Sequence, residues 1–228
     1  MNFRMHYFLM TFLCLVTITS VGQGLNNVAQ RLVARVARNN MKDYNNSEKI
    51  EGTPYLNMDF IDGEVHSSKG KFTGLPLRYN IYEDQMEFEF NQVTYVLDPA
   101  PSLAKIAFAN YKFIVAELEV KGTKKYHFLE LLDSGKVTLV SQKVVLFKPR
   151  EEPTAMQYQV KLARFDRLND VLYYRVGNGA LTKVSNLKKL ISSLPDKKEE
   201  ASSFAKTQNL SNTADDDIVA LVKYYNSL

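Results

Sequence analysis

Two histidines lie beyond the first 24 residues, His66 and His127. With Ser141 and the carboxylates, they are the side chains here best able to move a proton or attack a carbonyl. A hydrolytic site needs a nucleophile, a base and a group that orients the base. His127, Ser141 and a carboxylate could supply those parts, but no spacing in the sequence draws them together. No HExxH, GxSxG, P-loop or EF-hand pattern occurs. Glu83, Asp84, Glu87 and Glu89 form the densest acidic group, and paired carboxylates can serve glycoside hydrolysis. Glu87 and Glu89 alternate with Met86, Phe88 and Phe90, however, which reads as the wet face of a strand. Phe60-Ile61-Asp62-Gly63-Glu64 reads as a turn rather than part of a cation site. No catalytic residue, metal site or cofactor is expected, and the chain is read as a non-enzyme.

The ligand-binding candidates are Arg78, Asn80 and Tyr82. At alternate positions of one strand they could line a pocket with one charge and two hydrogen-bonding groups. The plainer reading is a polar sheet face with an Arg–Glu pair across to the Glu87/Glu89 strand.

The elements that must position these residues follow period two from Pro54 to about Val184. Leu75, Leu77, Tyr79 and Ile81 point one way and Arg78, Asn80 and Tyr82 the other. Beyond a Glu83-Asp84-Gln85 turn, Met86, Phe88 and Phe90 repeat the pattern, and Val93, Tyr95 and Leu97 follow. Further strands are expected at Tyr55–Ile61, Gly63–Ser67, Lys105–Ala109, Tyr111–Leu118, Lys125–Leu132, Val137–Phe147, Met156–Phe165 and Val171–Val176. Short turns at Asp62-Gly63, Lys69-Gly70, Lys121-Gly122, Asp133-Ser134-Gly135 and Gly177-Asn178-Gly179 favour hairpins over crossovers. The expected fold is mainly β: a large curved antiparallel meander sheet (open, barrel-like or sandwich) with an N-terminal helix and a helical C-terminal tail. Thirteen tyrosines and thirteen phenylalanines without a tryptophan suit a β core better than a glycan platform.

At the N-terminus, Arg4 precedes an apolar stretch over Tyr7–Ile18, and Ser20-Val21-Gly22 offers a cut before Gln23. This is the layout of a cleavable export signal over 1–22, too short for a comfortable membrane span. Cys14 lies within it, so the chain beyond would hold no cysteine and no disulfide. Leu25–Met41 repeats apolar residues at helical spacing with a basic polar face. It is expected as a helix laid over the sheet, with peripheral membrane attachment as the sharper reading. The polar stretch Asp43–Thr53 is read as a linker, completing an N-terminal region of 23–53. The β domain is then 54–184 and the helical tail 185–228. In the tail, Leu187–Leu194 ends at Pro195, Lys197–Lys206 follows, and Thr213 with Asp216 resembles a capping box opening a last helix. Without Arg4 the chain carries 28 basic and 25 acidic residues, scattered rather than gathered, which argues against nucleic acid as a partner.

The run GTPYLNMDFIDGEV…GKFTGLPLRYNIYEDQMEFE within Gly52–Phe90 and the tail LPDKKEEASSFAKTQNL…DDDIVALVKYYNSL within Leu194–Leu228 resemble uncharacterised exported proteins of the Bacteroidota. The resemblance implies the periplasm or outer cell envelope of a Gram-negative bacterium and brings no activity. The expected function is a binding or assembly-accessory module for an unknown envelope protein or apolar ligand. A periplasmic lipid or lipoprotein carrier is the alternative, and a hydrolase the least favoured one.

Overall fold

A computed structural model describes residues 32, 35–36, 49–120, 122–153 and 158–228. The expected export signal over 1–22 and most of the Leu25–Met41 stretch lie outside these. Where that stretch is described, it is not helical at Arg35–Val36. These two residues form β1 and pair antiparallel with Val96 and Tyr95.

The chain is mainly β. The main sheet has 11 strands in the order β1-β5-β4-β3-β2-β6-β7-β8-β9-β12-β13, and every pairing in it is antiparallel. After β1 come β2 (Ile61–Ser67), β3 (Gly70–Asn80), β4 (Gln85–Phe90), β5 (Val93–Leu97), β6 (Leu103–Phe108), β7 (Tyr111–Val120), β8 (Thr123–Asp133) and β9 (Val137–Gln142). Then β10 (Val145–Lys148) and β11 (Arg164–Arg167) form a separate two-stranded ribbon, and β12 (Val171–Val176) and β13 (Thr182–Lys183) return to the main sheet. The sheet curls into a half-barrel.

Alternation explains most of this. Leu77, Tyr79, Met86, Phe88, Phe113 and Phe128 are all but inaccessible and fill the hollow of the curl. The turn at Asn91-Gln92 is tight because both residues take left-handed backbone, at φ 48° and 62°. Gly63, expected in a turn, instead lies inside β2 at a register shift between Gly63 and Glu64. A Cβ there would stand 2.5 Å from the Ala107 carbonyl oxygen and 2.7 Å from Phe108, so glycine serves close strand approach rather than reversal.

Of the expected strand Met156–Phe165, the described part is not a strand until β11 opens at Arg164, and three other expectations change. Tyr55–Ile61 is not one strand; Tyr55 bridges to Asn80 and Leu56 donates its amide to the Tyr79 carbonyl, and only Ile61 at its end enters β2. Val137–Phe147 is two strands in two sheets, broken at Lys143-Val144, because the Lys143 side chain turns into the protein to meet carboxylates. The end of the 43–53 linker is ordered: Glu51 bridges to Arg164 alongside β11, receiving the Phe165 amide and donating to the Ala163 carbonyl.

The tail forms α1 (Leu187–Ser193), α2 (Lys198–Thr207) and α3 (Asp215–Ser227). Asn186 caps α1 by accepting from the Lys189 amide. The capping box expected from Thr213 and Asp216 does not form; Ala214 is the N-cap, and Asp217 instead accepts from the Ser211 amide. Leu187, Leu190, Leu221, Val222 and Tyr225 bury against Val137, Leu139 and Leu172. Phe113 faces Glu130, Glu130 faces Ser141, and Ser141 shares its side of β9 with Leu139 and Val137. The helices therefore cover the same face that lines the hollow, further along the sheet.

Candidate functional site

The Arg78, Asn80 and Tyr82 row lies on the face of β3 and its turn that the alternation assigns. Arg78 is directly opposite Glu87, and the expected cross-strand pair forms, with Nη2 and Nε at 2.6 and 3.1 Å from Glu87 Oε2. Its Nη1 donates to the Met58 carbonyl at 3.1 Å. The guanidinium lies 3.9 Å from the Tyr55 ring centre and 4.3 Å from that of Phe60. Glu87 is thereby buried rather than on a wet face, while Glu89 stays exposed. Burial, with Glu87 adding to it, pushes the Tyr55 phenol above its ordinary value. Asn80 Oδ1 accepts from the Glu83 amide and shapes the turn. Tyr82 meets the rings of Phe147 and Phe165 at centroid distances of 6.2 and 5.4 Å. The row thus fastens the 54–60 crossover and the β10–β11 ribbon to the sheet.

Spacing missed a second constellation. Asp84, in left-handed backbone at φ 51°, sits at the tip between β3 and β4. Its Oδ2 accepts from His127 Nδ1 at 2.7 Å. Its Oδ1 accepts from the Tyr79 hydroxyl at 2.8 Å and the Phe128 amide at 3.2 Å. Pairing of β8 with β9 begins only at Glu130, so Phe128 presents an amide at a bare strand edge, and Asp84 stands in for the absent neighbour. Burial pushes the Tyr79 phenol far up, reinforced by Asp84.

A third group forms a polar belt between the hollow and the helix-covered patch. Lys143 Nζ is 2.6 Å from Asp170 Oδ2 and also pairs with Glu130. Ser141 donates to the same Asp170 oxygen at 2.9 Å, and Arg167 reaches Asp170 Oδ1 at 2.5 Å. Burial alone would lower the Lys143 value, but bonds to Asp170 and Glu130 outweigh it and raise it. A lysine held so firmly charged cannot serve Ser141 as a base.

His127 and Ser141 therefore take different partners: the imidazole is held by Asp84 and the hydroxyl by Asp170. His66 bonds to Glu64 at 2.9 Å within a cluster that includes Lys71. Among the described residues, no group of three or more His, Cys, Asp or Glu is placed to hold a metal, and no helix is long and apolar enough to cross a membrane. Two hollows there are a shallow groove of about 360 Å³ over the β2 bulge, lined by Asp62, Glu64, Thr73 and Ala107 among others, and a crevice of about 140 Å³ between β12 and the start of α3.

Comparison with family models, curated proteins and solved structures gave no match.

Proposed function

We propose that this chain is a non-enzymatic protein of the cell envelope that works by surface contact, as a binding or assembly-accessory module. The observation that carries the reading is where its reactive groups are spent. His127, Lys143 and Ser141 each bind a partner from a distant part of the same chain, and Arg78 is held between Glu87 across its own hairpin and the Met58 carbonyl. Such groups lock a scaffold, whereas a catalytic set must converge on one open point. Export to the periplasm or outer envelope rests on the residues of the N-terminus and on the resemblance, and is part of the proposal.

The curled sheet with helices on its hollow face gives a second reading some support, a periplasmic carrier of lipid or lipoprotein. Against it stands the aromatic filling of that hollow. Tyr79 and Phe113 approach to 5.0 Å, and Phe108 and Phe113 stack at 5.8 Å. A carrier needs that space for its cargo.

Cross-linking in intact envelopes, followed by native mass spectrometry of the gently purified chain, separates the readings. A defined protein partner supports the module. An extractable lipid mass without a partner transfers the case to the carrier, and absence from envelope fractions sinks both.

A further inference from the structure

Among the described residues, the β10–β11 ribbon and its connection carry half of the large apolar side chains that the fold leaves exposed. Eight large apolar side chains among the described residues are more than a third exposed, and four of them lie here: Leu146 (46%), Tyr158 (87%), Val160 (40%) and Leu168 (45%). The ribbon has an inward and an outward face. Phe147 pairs with Phe165, and these rings pack on each other at 4.9 Å and against Tyr82. Leu146 faces Asp166 and Lys148 faces Arg164, so those four point the other way. Leu168, two residues beyond Asp166, joins them, its amide bonded to the Val144 carbonyl. The aromatic anchor therefore holds the outward face in a fixed position.

We propose that this outward face rests on an anionic lipid surface. Three observations favour lipid over a protein partner. The middle of the face is charged, with Asp166 between Lys148 at 2.7 Å and Arg164 at 3.0 Å, and the apolar residues lie toward its ends. Protein interfaces have the reverse anatomy, an apolar centre inside a polar rim. Pro149 and Pro153 follow β10 and blunt its edge against strand addition. Residues 144–168 hold five Lys/Arg against three Asp/Glu, a charge that complements anionic headgroups. The ion pairs that occupy these cations are on the surface, and such pairs contribute little, so a cation can exchange a carboxylate for a phosphate. Lysine and arginine stems then follow the leucines toward the acyl boundary, and Tyr158 has the amphipathic ring suited to that depth.

The inference does not depend on the identity of a protein partner. Its test is co-sedimentation of the full chain with phosphatidylcholine vesicles, with and without phosphatidylglycerol. The expected result is binding to the phosphatidylglycerol vesicles that weakens with salt. It should fall by roughly tenfold or more when Leu146→Ser and Leu168→Ser are combined. Met58→Ser, at an exposed apolar residue outside the ribbon, should leave it unchanged. Circular dichroism and a melting curve establish that each variant folds; a second pair, Tyr158→Ser with Val160→Ser, should give the same loss. No binding to phosphatidylglycerol vesicles, or binding that survives both ribbon pairs, overturns the proposal. So does a ribbon variant that loses a cross-linked protein while keeping its vesicle binding.

Discussion

Asp84 and His127 stand 43 residues apart in the chain and are joined by a 2.7 Å hydrogen bond. In the sheet order, β2, β6 and β7 lie between the strands that carry them. The bond therefore spans the mouth of the curl rather than a ladder. It occurs on the part of the β8 edge that lacks β9, where the Phe128 amide needs an acceptor.

Asp84→Ala should cost about 2–3 kcal/mol, because it strands the Phe128 amide, the Tyr79 hydroxyl and the His127 Nδ1 proton together. Asp84→Asn keeps one acceptor oxygen and should lose roughly half as much. Urea denaturation at neutral pH reads the difference, and equal losses for both variants would rule out acceptor geometry as the cause.

In the belt, Lys143→Met leaves Glu130 and Asp170 half-buried without their shared cation and should cost about 3 kcal/mol. Adding Glu130→Gln and Asp170→Asn to it should restore much of that, since the carboxylates then need no counter-charge. A triple variant less stable than the single one would show that the belt contributes net attraction, contrary to this account.

Asn226 of α3 accepts from the Val137 amide and donates to the Val137 carbonyl and to Asp133, acting like an added strand at the β8–β9 turn. A Cβ on Gly135 would meet the Asn226 side chain at 2.7–3.0 Å. Asn226→Ala and Gly135→Ala should each destabilise by about 1–2 kcal/mol. Because Gly135→Ala acts through Asn226, its cost should largely vanish in the Asn226→Ala background. Strict additivity of the two would disprove the shared contact.

The Tyr225 hydroxyl donates to Asp196 at 2.5 Å, and burial with that carboxylate pushes its pKa up to about 12. A folded value above the unfolded one means this contribution is whole below about pH 10 and is lost as pH rises through about 12. Tyr225→Phe should be less stable at neutral pH by about 1 kcal/mol. It should also lose less stability than the parent over that alkaline window. Tyr79, also raised, leaves some alkaline loss in both. Parallel pH profiles for the two proteins would remove Tyr225 as the cause.

The antiparallel fold was legible because burial of one face imposes period two, as at Leu75, Leu77 and Tyr79 opposite Met86 and Phe88. Even the Arg78–Glu87 pair could be read, since one turn sets its register. What pairs across the curl could not be. Alternation tells which face Ser141 takes, but not which distant strand curvature will bring to it, and Asp84 in its turn and Glu51 in its linker lie outside the alternation altogether. The run Val137–Phe147 misled for a related reason: Ser141-Gln142-Lys143 interrupts its apolar residues, but the carboxylates that meet Lys143 there, Glu130 and Asp170, lie elsewhere in the chain. For the Arg78, Asn80 and Tyr82 row, the sequence placed the residues on one face but carried no signal that the 54–60 crossover would lie over Arg78.

The belt of Glu130, Ser141, Lys143 and Asp170 has one more consequence. It parts a sheet whose hydrogen bonds run unbroken, so what is one body to the backbone is two to the solvent. Substitutions in the aromatic hollow and those beneath the helices can accumulate independently. On that face it is across those few ionic contacts that a change on one side must be answered by a change on the other.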